Sequence, residues 1–577
     1  MILSLDSLNQ VHKMKILILD AHSNASLSVL QSLGRAGYRT YLAGTTDKVT
    51  SWHSRYAVDR FIYPDPLAVR DQFKAWLLKV QARHNFDFIL PITDNTIYPL
   101  IELQQEKWAD KKLVVPSSES FSFLFNKEKT ISLASSLGVP VPKTTKIASG
   151  NMNFEQFKEF PLFVKPTCSK RWLGQEGRHL EPKLVENLEE LAFVANDYLE
   201  YGDLLIQQYV PGCGVGIDVL CNQGDIILSF AHKRLHEYPL TGGGSTYRVS
   251  IPMPENLFEA SKKMMAKIKY HGVAMIEFKQ KDDNYWLMEI NGRFWGSLPL
   301  AAFAGIDFPK ALIEMLTEAH LSVQDNYKIG FFSRKVSSDV MWFKANLKAN
   351  KLNRFLLTDN IMRSFFEWFR IFSLKECWDN ALWQDPMPIL FEIKEIICKE
   401  INNIIRRVYK MLILRQAKQK TLRFLKKKTP QKLLILCYGN ICRSPFVAKY
   451  LKARLEKESC IIRSSGFHPI MGRKTPEIIC NAAKARGVDL TSHESTVIDH
   501  DLIKWADGIV IMDYENWQLL REYEKSMLHK VIWLGAMMDG AVSIEIADPY
   551  GKIKKDIESI FDNLEVATQK FSEILLG

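Results

Sequence analysis

The pattern of hydrophobic and polar positions changes several times along the chain. Near the start, the apolar run MKILIL (14–19) is followed by a polar loop, an amphipathic stretch and a second apolar run, which is the beginning of a βαβ unit. A further buried run, FDFILPI (86–92), ends at Thr93 and Asp94. Strands that alternate with helices predict an open parallel sheet, so we assign residues 1–120 to an N-terminal α/β domain.

Residues 121–330 carry short strands that come in pairs. A helix is predicted from about Lys127 to Leu137, and polar turns at 222–225 and 281–284 join neighbouring strands as hairpins. The strand candidates are FPLFVKP, DLLIQQYV, GIDVLCN, DIILSFAHKR, AMIEFKQ and NYWLMEI. This pattern predicts an α+β domain with much antiparallel sheet.

The remaining chain divides into two further segments. Residues 331–430 are helix-like, rich in Trp, Phe and Ile, and predict a helical bridge; the aromatic run 365–369 is expected to lie in a core. Residues 431–577 alternate apolar strands with helices and predict a parallel-sheet α/β domain. The fold class is therefore α/β multidomain, with two enzyme-like modules joined by a helical bridge.

Composition narrows the class of protein. Hydrophobic residues make up 47% of the 577 positions and charged residues 24%, values typical of a folded, soluble protein. We find no apolar stretch of the length that spans a membrane and no signal-peptide pattern. Nine cysteines at irregular spacing, without a Cys-x-x-Cys pair, predict a reducing cytoplasmic location without disulfides or structural zinc.

The net charge of +11 belongs to one segment. Residues 405–428 contain ten Lys or Arg and no acid, which leaves the rest of the chain at +1 and argues against a specific nucleic-acid partner. We favour a long helix packed on a neighbour with a solvated basic end. The alternative is a basic amphipathic helix over 389–428 that makes a peripheral contact with an anionic membrane. Nothing in the pattern indicates an oligomeric state.

The C-terminal module contains a distinctive loop. An apolar strand delivers Cys437 into the sequence CYGNICRSP, which ends with Arg443, Ser444 and a helix-starting proline. Backbone N–H groups and one guanidinium at this spacing can surround a phosphate above the sulfur, and the positive helix end favours a thiolate nucleophile. Asn440 and its neighbour Gly439 tolerate left-handed dihedral angles.

Phosphoryl transfer also requires a proton donor for the leaving alcohol, and an acid is available downstream. Asp548 lies in the sequence DPY on a loop after an apolar strand, and Tyr550 is a candidate wall of the pocket. The Ser444 hydroxyl can stabilise the thiolate as a leaving group. These residues predict a cysteine-dependent phosphomonoesterase.

Residues 431–577 resemble the low-molecular-weight protein tyrosine phosphatase family, in the Cys437 loop and in SSG (464–466), ARGVDLTSH (485–493), ADGIVIMD (506–513) and ADPYGK. The resemblance implies attack by Cys437, phosphate binding by Arg443, acid–base catalysis by Asp548 and supporting roles for Asn440 and Ser444. Related arginine phosphatases often carry Thr where this chain has Ile441, which favours phosphotyrosine. The family commonly has a basic residue near the position of Thr496.

The N-terminal half carries oxygen ligands on two strands. Glu289 and Asn291 are two residues apart on one strand and face the same side, and Glu277 lies on the neighbouring strand. Such a set is suited to a hard cation that bridges phosphates. Arg293 adds a phosphate- or carboxylate-binding fork. Lys165 ends an apolar strand, where it can meet a nucleotide phosphate or be an ordinary exposed lysine.

Two further segments are candidates for nucleotide contacts. The segment Gln208, Tyr209 and Val210 follows a strand like a hinge that meets an adenine edge through its backbone. The run TGGGSTYR (241–248) predicts a flexible glycine loop that closes over phosphates, although such a run is usually only a turn.

Residues 1–320 resemble the ATP-grasp superfamily, and most closely its carbamoyl-phosphate-synthase-like group, through VKP, QQYVPG and the E…EIN pattern followed by GRFWGS. The resemblance implies that Lys127 and Lys165 contact ATP, that Gln208 and Val210 border the adenine, and that Arg293 stabilises the transferred phosphoryl group. Mg²⁺, or Mn²⁺, would be held by Glu277, Glu289 and Asn291. The segment after Lys165, TCSKRWLGQEG, departs from the usual glycine-rich loop.

Together these features predict a bifunctional enzyme. One half would ligate a small carboxylate to an amine through an acyl phosphate, and the other would dephosphorylate a phosphotyrosyl protein or a small phosphoester. The two activities either act on one pathway's intermediates or, as implied by relatives that reverse tyrosine phosphorylation in polysaccharide export, regulate a polymer. The alternative is a regulatory tyrosine phosphatase with a non-catalytic, nucleotide-sensing ATP-grasp domain.

Overall fold

The structure, a computed structural model, describes residues 14–105, 112–148, 154–173, 176–318, 326–349, 353, 355–455, 460–538, 543–552 and 554–576. It divides into two compact units, Met1–Ile397 and Cys398–Gly577. No helix in the described ranges has both the length and the hydropathy that crossing a bilayer requires. The four domain boundaries drawn from the sequence stay predictions.

The first part of the N-terminal unit is a four-stranded parallel sheet with the strand order β3-β2-β1-β4, as predicted. Its central strand β1 is apolar and buried on both faces, because helices cover the sheet. The strands are β1 (Lys15–Ile18), β2 (Arg39–Gly44), β3 (Ala57–Ile62) and β4 (Phe88–Leu90), and the helices are α1 (Asn24–Arg35), α2 (Arg70–His84) and α3 (Asp94–Gln105).

A small antiparallel sheet follows, with the order β5-β10-β6-β9. Two helices precede it, and a two-stranded ribbon, β7-β8, is inserted into it. The elements are α4 (Ser118–Phe125), α5 (Lys127–Ser136), β5 (Thr144–Ile147), β6 (Leu162–Pro166), β7 (Lys170–Leu173), β8 (Glu176–His179), β9 (Lys183–Val185), α6 (Leu188–Leu199) and β10 (Leu204–Gln208). The predicted helix at 127 is confirmed, and it begins at an Asn126 side-chain cap.

The largest sheet of this unit has seven strands in the order β15-β14-β11-β12-β13-β16-β17. The predicted hairpins β11-β12 and β14-β15 are both present and antiparallel. The strands are β11 (Cys213–Asn222), β12 (Asp225–Tyr238), β13 (Gly244–Ser250), β14 (Gly272–Lys281), β15 (Asn284–Asn291), β16 (Phe332–Arg334) and β17 (Glu376–Trp378); the accompanying helices are α7 (Glu255–Lys267), α8 (Leu298–Ala304) and α9 (Phe308–Leu316).

The segment predicted as a helical bridge is helical over most of its described length, with two exceptions. Strands β16 and β17 lie inside it and extend the seven-stranded sheet. A buried charge network attaches them, because Arg334 pairs with Asp339 and, at 2.8 Å, with Glu376. The helices are α10 (Val336–Lys348), α11 (Ile361–Glu367) and α12 (Met387–Lys427), which continues into the second unit.

The aromatic run 365–369 is not a core element, contrary to expectation. Phe365, Phe366 and Phe369 are between 49% and 62% exposed. The face of α11 that points inward carries Ser364 and Glu367, which are buried. Glu367 is drawn inward because its carboxylate lies 3.3 Å from the buried His236 imidazole, and the phenylalanines are left on the opposite face.

The second unit is a four-stranded parallel sheet with the order β19-β18-β20-β21, as predicted. Helices cover both faces, and the last part of α12 joins the same core through Ala417 and Leu425. The strands are β18 (Lys432–Cys437), β19 (Ile461–Gly466), β20 (Gly508–Ile511) and β21 (Val531–Trp533); the helices are α13 (Arg443–Lys452), α14 (Glu477–Lys484), α15 (His500–Trp505), α16 (Tyr514–Glu524) and α17 (Lys554–Leu576).

Candidate active sites

The first candidate site lies where the central strand of the second unit ends. Strand β18 terminates at Cys437, and helix α13 begins six residues later at Arg443, so the loop between them lies at the carboxyl edge of the parallel sheet. The Cys437 side chain is buried beneath this loop. In open parallel sheets this edge, beside a helix N-terminus, is the usual place for an anionic ligand.

Two polar groups contact the Cys437 sulfur, and a third contacts the Ser444 oxygen beside it. The backbone N–H of Asn440 donates to Sγ at 3.2 Å, and the Ser444 hydroxyl lies 3.0 Å from Sγ. The Asn440 side-chain amide donates to the Ser444 oxygen at 2.9 Å. Because that oxygen already accepts a hydrogen bond, its own proton is available for the sulfur, which stabilises a thiolate.

Asn440 has the left-handed backbone conformation that the sequence predicts, with φ of 51°. Its side-chain oxygen accepts from the backbone N–H of Thr496 at 2.8 Å, and its carbonyl accepts from His493 Nε2 at the same distance. Burial lowers the pKa of His493, which favours the neutral imidazole that donates this bond. Thr496 thus holds the Asn440 side chain in place through this hydrogen bond.

Gly439 does not have the left-handed backbone conformation that the sequence predicts, because its φ is not positive. A Cβ at this position would lie 2.9 Å from the Arg473 guanidinium, which donates to the Gly439 carbonyl at 2.6 Å. A side chain at this position would therefore require the Arg473 guanidinium to move away from the loop.

Arg443 is held in one orientation by two acids. Its Nη1 atom pairs with Asp513 and donates to the Ile546 carbonyl at 2.9 Å, and its Nη2 atom donates to Asp548 Oδ2 at 2.5 Å. Burial opposes the charge on Arg443, but Asp513 and Asp548 outweigh it and raise the pKa of the guanidinium. The predicted acid Asp548 is therefore brought directly beside the predicted anion-binding arginine.

Sequence reasoning missed Asp513, although a signal was present. Asp513 follows the apolar strand GIVIM and caps helix α16, where its side chain accepts from the Asn516 N–H at 2.8 Å. An acid directly after a buried parallel strand lies at the same sheet edge as Cys437. The two tyrosines of the site, Tyr438 and Tyr550, are largely exposed, as expected for pocket walls.

The second candidate site lies in the N-terminal unit, on the β14-β15 hairpin. Glu277 and Glu289 are directly opposite each other in the register, with a β-bulge just after Glu277. The Asn291 amide nitrogen lies 3.2 Å from Glu277 Oε1 and 3.1 Å from Glu289 Oε1. The three predicted metal ligands therefore converge on one point.

The two glutamates of this cluster have pKa values shifted in opposite directions. Burial raises the pKa of Glu277 to about 7, although Arg234 lies 2.5 Å from its carboxylate and opposes this rise. The pKa of Glu289 is also pushed up by burial, but Lys127 and Asn291 outweigh this effect and leave it lowered. The Asn291 amide turns its nitrogen toward both half-buried carboxylates and its oxygen toward Arg293, so it would have to turn over to offer that oxygen to a hard divalent ion.

Within the described residues, no group of three or more His, Cys, Asp or Glu side chains is arranged to hold a metal. The cluster reaches three oxygen donors only by including the Asn291 amide. Such a mixed set is typical of Mg²⁺ sites, where substrate phosphates and water complete the coordination.

Arg293 is pinned by its neighbours. Its Nε donates to Asp94 Oδ1 at 2.7 Å, and its Nη2 donates to Asn291 Oδ1 at 2.9 Å. Asp94 begins helix α3 of the parallel-sheet part, so it connects that part to the hairpin. The sequence marked Asp94 as the end of a strand run, but nothing local linked it to an arginine 199 residues later.

Basic side chains face this cluster. Lys127 donates to the Ser169 hydroxyl at 2.6 Å, and Lys165 donates to Gln207 Oε1 at 2.6 Å. Burial lowers the pKa of Lys165 to about 8. The sequence did not single out Lys170, yet it lines a cavity together with the ligand residues. The residues lining it include Asp94, Tyr98, Lys127, Ser169, Lys170, Glu289 and Asn291.

The predicted hinge segment does not line that cavity. Gln208 ends strand β10 and its N–H donates to the Lys143 carbonyl at 2.9 Å, while the Val210 carbonyl accepts from Lys279 at 3.4 Å. The Tyr209 ring lies beneath Lys279, with the ammonium 5.2 Å from the ring centroid. These residues form a separate group, so the structure brings together the predicted metal and phosphate residues but not the predicted adenine residues.

The run 241–248 differs from the predicted flexible loop. Strand β13 begins at Gly244, so only a short turn separates it from β12. The two flanking arginines are both engaged, Arg234 with Glu277 and the buried Arg248 with Asp379. Strand pairing and these ion pairs fix the segment as a hairpin.

Two family profiles match the chain. The profile described as "Low molecular weight phosphotyrosine protein phosphatase" matches residues 432–576, and "ATP-grasp in the biosynthetic pathway with Ter operon" matches residues 200–333. The chain is similar to the probable low molecular weight protein-tyrosine-phosphatase AmsI of Erwinia amylovora, with 32% identity over 143 residues, which is 25% of this chain and 96% of that protein.

The N-terminal half is similar to the carbamoyl phosphate synthase large chain of Clostridium botulinum (strain Loch Maree / Type A3). The two are 24% identical over 282 residues, which is 48% of this chain but only 25% of the synthase. Among solved structures, an L-amino acid ligase from Bacillus licheniformis aligns with a TM-score of 0.45 and 13% identity, over 56% of this chain and 78% of the ligase.

Proposed function

Because the chain belongs to the low molecular weight phosphotyrosine protein phosphatase family over residues 432–576 and carries an ATP-grasp domain before it, we propose that it is a bifunctional enzyme. One activity is hydrolysis of phosphotyrosine-type monoesters. The other is ATP- and Mg²⁺-dependent ligation of a carboxylate to an amine. Both domains belong to enzyme families.

For the phosphatase, the carrying observation is the Cys437 sulfur within hydrogen-bond distance of the Asn440 N–H and Ser444, with Arg443 fixed beside Asp548. The thiolate would attack phosphorus and form a cysteinyl phosphate while Asp548 protonates the departing alcohol oxygen. Water would then attack phosphorus as Asp548 accepts its proton, which releases phosphate and regenerates the thiolate. Arg443 would bind the equatorial phosphate oxygens throughout.

The role of Asp548 is tested through the leaving group. In Asp548→Asn, hydrolysis of a phosphotyrosyl peptide should fall by about 10²–10³-fold, because the phenolate of tyrosine needs a proton. Hydrolysis of an aryl phosphate with a strongly acidic phenol should fall much less. Equal losses on both substrates would show that Asp548 is not the proton donor.

The substrate class is tested by direct comparison. Wild-type protein should hydrolyse phosphotyrosyl peptides at least about ten times faster than matched phosphoarginyl peptides, because apolar Ile441 and exposed Tyr550 favour an aromatic ring. A small phosphorylated metabolite that outcompetes the peptides would replace the protein-phosphatase assignment with a metabolic one.

For the ligase, the carrying observation is the convergence of Glu277, Glu289 and Asn291 beside Lys127 and Lys165. When bound, Mg²⁺ would neutralise the ATP phosphates and orient the γ-phosphoryl group. Glu277, Glu289 and Asn291 would hold the ion, and Lys127 and Lys165 would hold phosphate oxygens. Transfer of the γ-phosphoryl group to a carboxylate gives an acyl phosphate and ADP, and attack by an amine then gives an amide and phosphate.

Other roles follow from the same proposal. Arg293 would stabilise the transferring phosphoryl group, and the backbone of Gln208, Tyr209 and Val210 would contact the adenine edge. Because these hinge residues lie outside the cavity of the metal cluster, the nucleotide would extend from one group to the other.

The ligase is tested by ADP release with pooled carboxylates and amino acids. Pool-dependent ADP formation should appear in wild type and fall at least about 100-fold in Glu289→Ala, because a metal ligand is lost. Asp283→Asn, a change in the exposed β14-β15 turn, is the matched control and should retain activity. MgATP binding without ADP from any pool would support the alternative, a nucleotide-sensing domain that regulates the phosphatase.

A further inference from the structure

The middle of helix α12 is only partly covered by the rest of the chain. Lys410 pairs with Glu545 at 2.7 Å, and Ile413 and Leu414 pack against the core of the second unit. No residue from 393 to 416, all of which the structure describes, is buried, whereas Ile389 before this stretch and Ala417, Thr421 and Leu425 after it are. A helix that is largely exposed is normally polar on its exposed faces or covered by a partner.

This stretch is not polar all round. Its exposed aliphatic and thioether side chains recur every three or four residues and therefore lie on one face. They are between 43% and 58% exposed. We call them the aliphatic stripe: Ile397, Ile401, Ile404, Ile405, Val408, Met411 and Leu412. Seven such side chains on one face indicate a surface that is covered when the protein acts.

The charge of this helix favours an anionic bilayer over a second copy of the helix as the partner that covers the aliphatic stripe. No Asp or Glu occurs from 401 to 428, and Arg406, Arg407 and Arg415 are all exposed. A second copy of the helix would bring the same positive charge against itself. A layer of anionic headgroups would neutralise that charge, and its acyl boundary would accept the stripe.

A second exposed apolar surface, mainly aromatic, lies around α11. Phe365, Phe366 and Phe369 form edge-to-face and tilted contacts with one another and are exposed, as are Met362, Phe372 and Leu374. The exposed cations Arg363 and Lys375 flank them, and the one acid of the segment, Glu367, is buried. Aromatic rings beside basic residues favour the headgroup region of a bilayer.

We propose that the chain is a peripheral membrane protein that binds anionic phospholipid through the aliphatic stripe of α12. The helix lies in the plane of the headgroups with the stripe toward the acyl chains and does not cross the bilayer. This binding is independent of either catalytic activity.

The test is co-sedimentation of the full chain with vesicles. Vesicles that contain phosphatidylglycerol should bind the protein at about 0.1 M NaCl and release most of it at about 0.5 M, whereas pure phosphatidylcholine vesicles should bind it weakly. The double variant Ile401→Asp/Ile405→Asp should bind at least about 100-fold more weakly, because it places charge at the acyl boundary. Arg406→Gln/Arg407→Gln should lose about 25-fold, roughly five-fold for each cation.

The matched control is Ile62→Asp, which changes an equally exposed isoleucine on strand β3 and should leave vesicle binding within two-fold of wild type. If an aspartate variant unfolds, as judged by circular dichroism, the arginine variant carries the test. No binding to phosphatidylglycerol vesicles, or binding unchanged in the stripe and arginine variants, would overturn the proposal. So would a concentration-dependent dimer that Ile401→Asp/Ile405→Asp abolishes without any vesicle binding, since the stripe would then be covered by a second copy.

Discussion

The two candidate sites are assembled in opposite ways. The phosphatase site takes its nucleophile, anion-binding loop and arginine from the nine residues 437–445. The ATP-grasp site takes Asp94 from α3, Lys127 from α5 and Lys165 from β6. Its two glutamates lie opposite each other only because of the register of β14 and β15. A contiguous loop carries its geometry with it, whereas a dispersed site depends on how separate sheets pack. Damage to one site should therefore leave the other intact.

The largest expected effect separates the two activities. Cys437→Ser should reduce aryl phosphate hydrolysis by at least about 10⁴-fold, because it removes the thiol that the Asn440 N–H and Ser444 contact, while pool-dependent ADP formation stays unchanged. The second thiol of the loop, Cys442, is not expected to replace it, because burial raises the pKa of Cys442. Both rates are measured on the same preparation. A parallel loss of ADP formation would mean that the two sites do not work independently.

The next prediction concerns Asp513, which contacts Arg443 from outside the 437–445 loop. Asp513→Asn should lower kcat for aryl phosphate by about 10–100-fold, because Arg443 loses one of the two acids that orient it. As Asp513 is a positioning residue, competitive inhibition by inorganic phosphate should weaken in parallel. Asp507→Asn, at a surface acid that pairs with Lys428, is the control. A normal kcat in Asp513→Asn would show that Arg443 is oriented without Asp513.

A smaller effect is expected at Asp94, the residue of the dispersed site that is farthest from Arg293 in sequence. Asp94→Asn should lower pool-dependent ADP formation by about ten-fold, because Arg293 loses its charged partner in α3 and its fixed orientation. The aryl phosphatase rate should not change. Asp71→Asn, on the first turn of α2, is a control in the same part of the unit. Unchanged ADP formation in Asp94→Asn would show that the parallel-sheet part does not contribute to the site.

The smallest effect concerns stability against pH. Burial lowers the pKa of His236, but its hydrogen bonds to Asp339 and Glu367 outweigh burial and leave the pKa raised. A raised folded-state pKa stabilises the fold below the ordinary histidine value near 6.5, and this contribution is lost as pH rises through the raised value. The N-terminal unit should therefore become less stable as pH rises above about 6.5.

His236→Gln should remove this pH dependence and cost about 1–3 kcal/mol at pH 6. The free energy of unfolding is measured by denaturant titration at pH 6 and pH 8, with exposed His529→Gln as the control. An identical slope in wild type and His236→Gln would show that another group titrates.

The elements whose signal is local were predicted correctly. The hairpins at 222–225 and 281–284, the helix capped by Asn126 and the left-handed Asn440 all follow from turn chemistry and short-range periodicity. Asp513 and the Arg334–Glu376 pair were missed because their partners lie 70 and 42 residues away, and Lys170 was missed because only the folded chain brings it to the cavity. The aromatic run 365–369 was assigned to a core because apolar clusters usually are; a buried glutamate on the same short helix reversed its orientation.

The sequence by itself predicted the two candidate sites, since a thiolate loop and a set of oxygen ligands are defined by residue types at fixed short spacings. It also determined the βαβ and hairpin segments, whose patterns repeat every two or every 3.6 residues. Only the tertiary structure decided which acids hold Arg443 and Arg293, and which face of α11 or α12 stays exposed. Those outcomes depend on the pairing of charges and surfaces between distant segments, because a buried ion pair forms only where the folded chain brings both partners together.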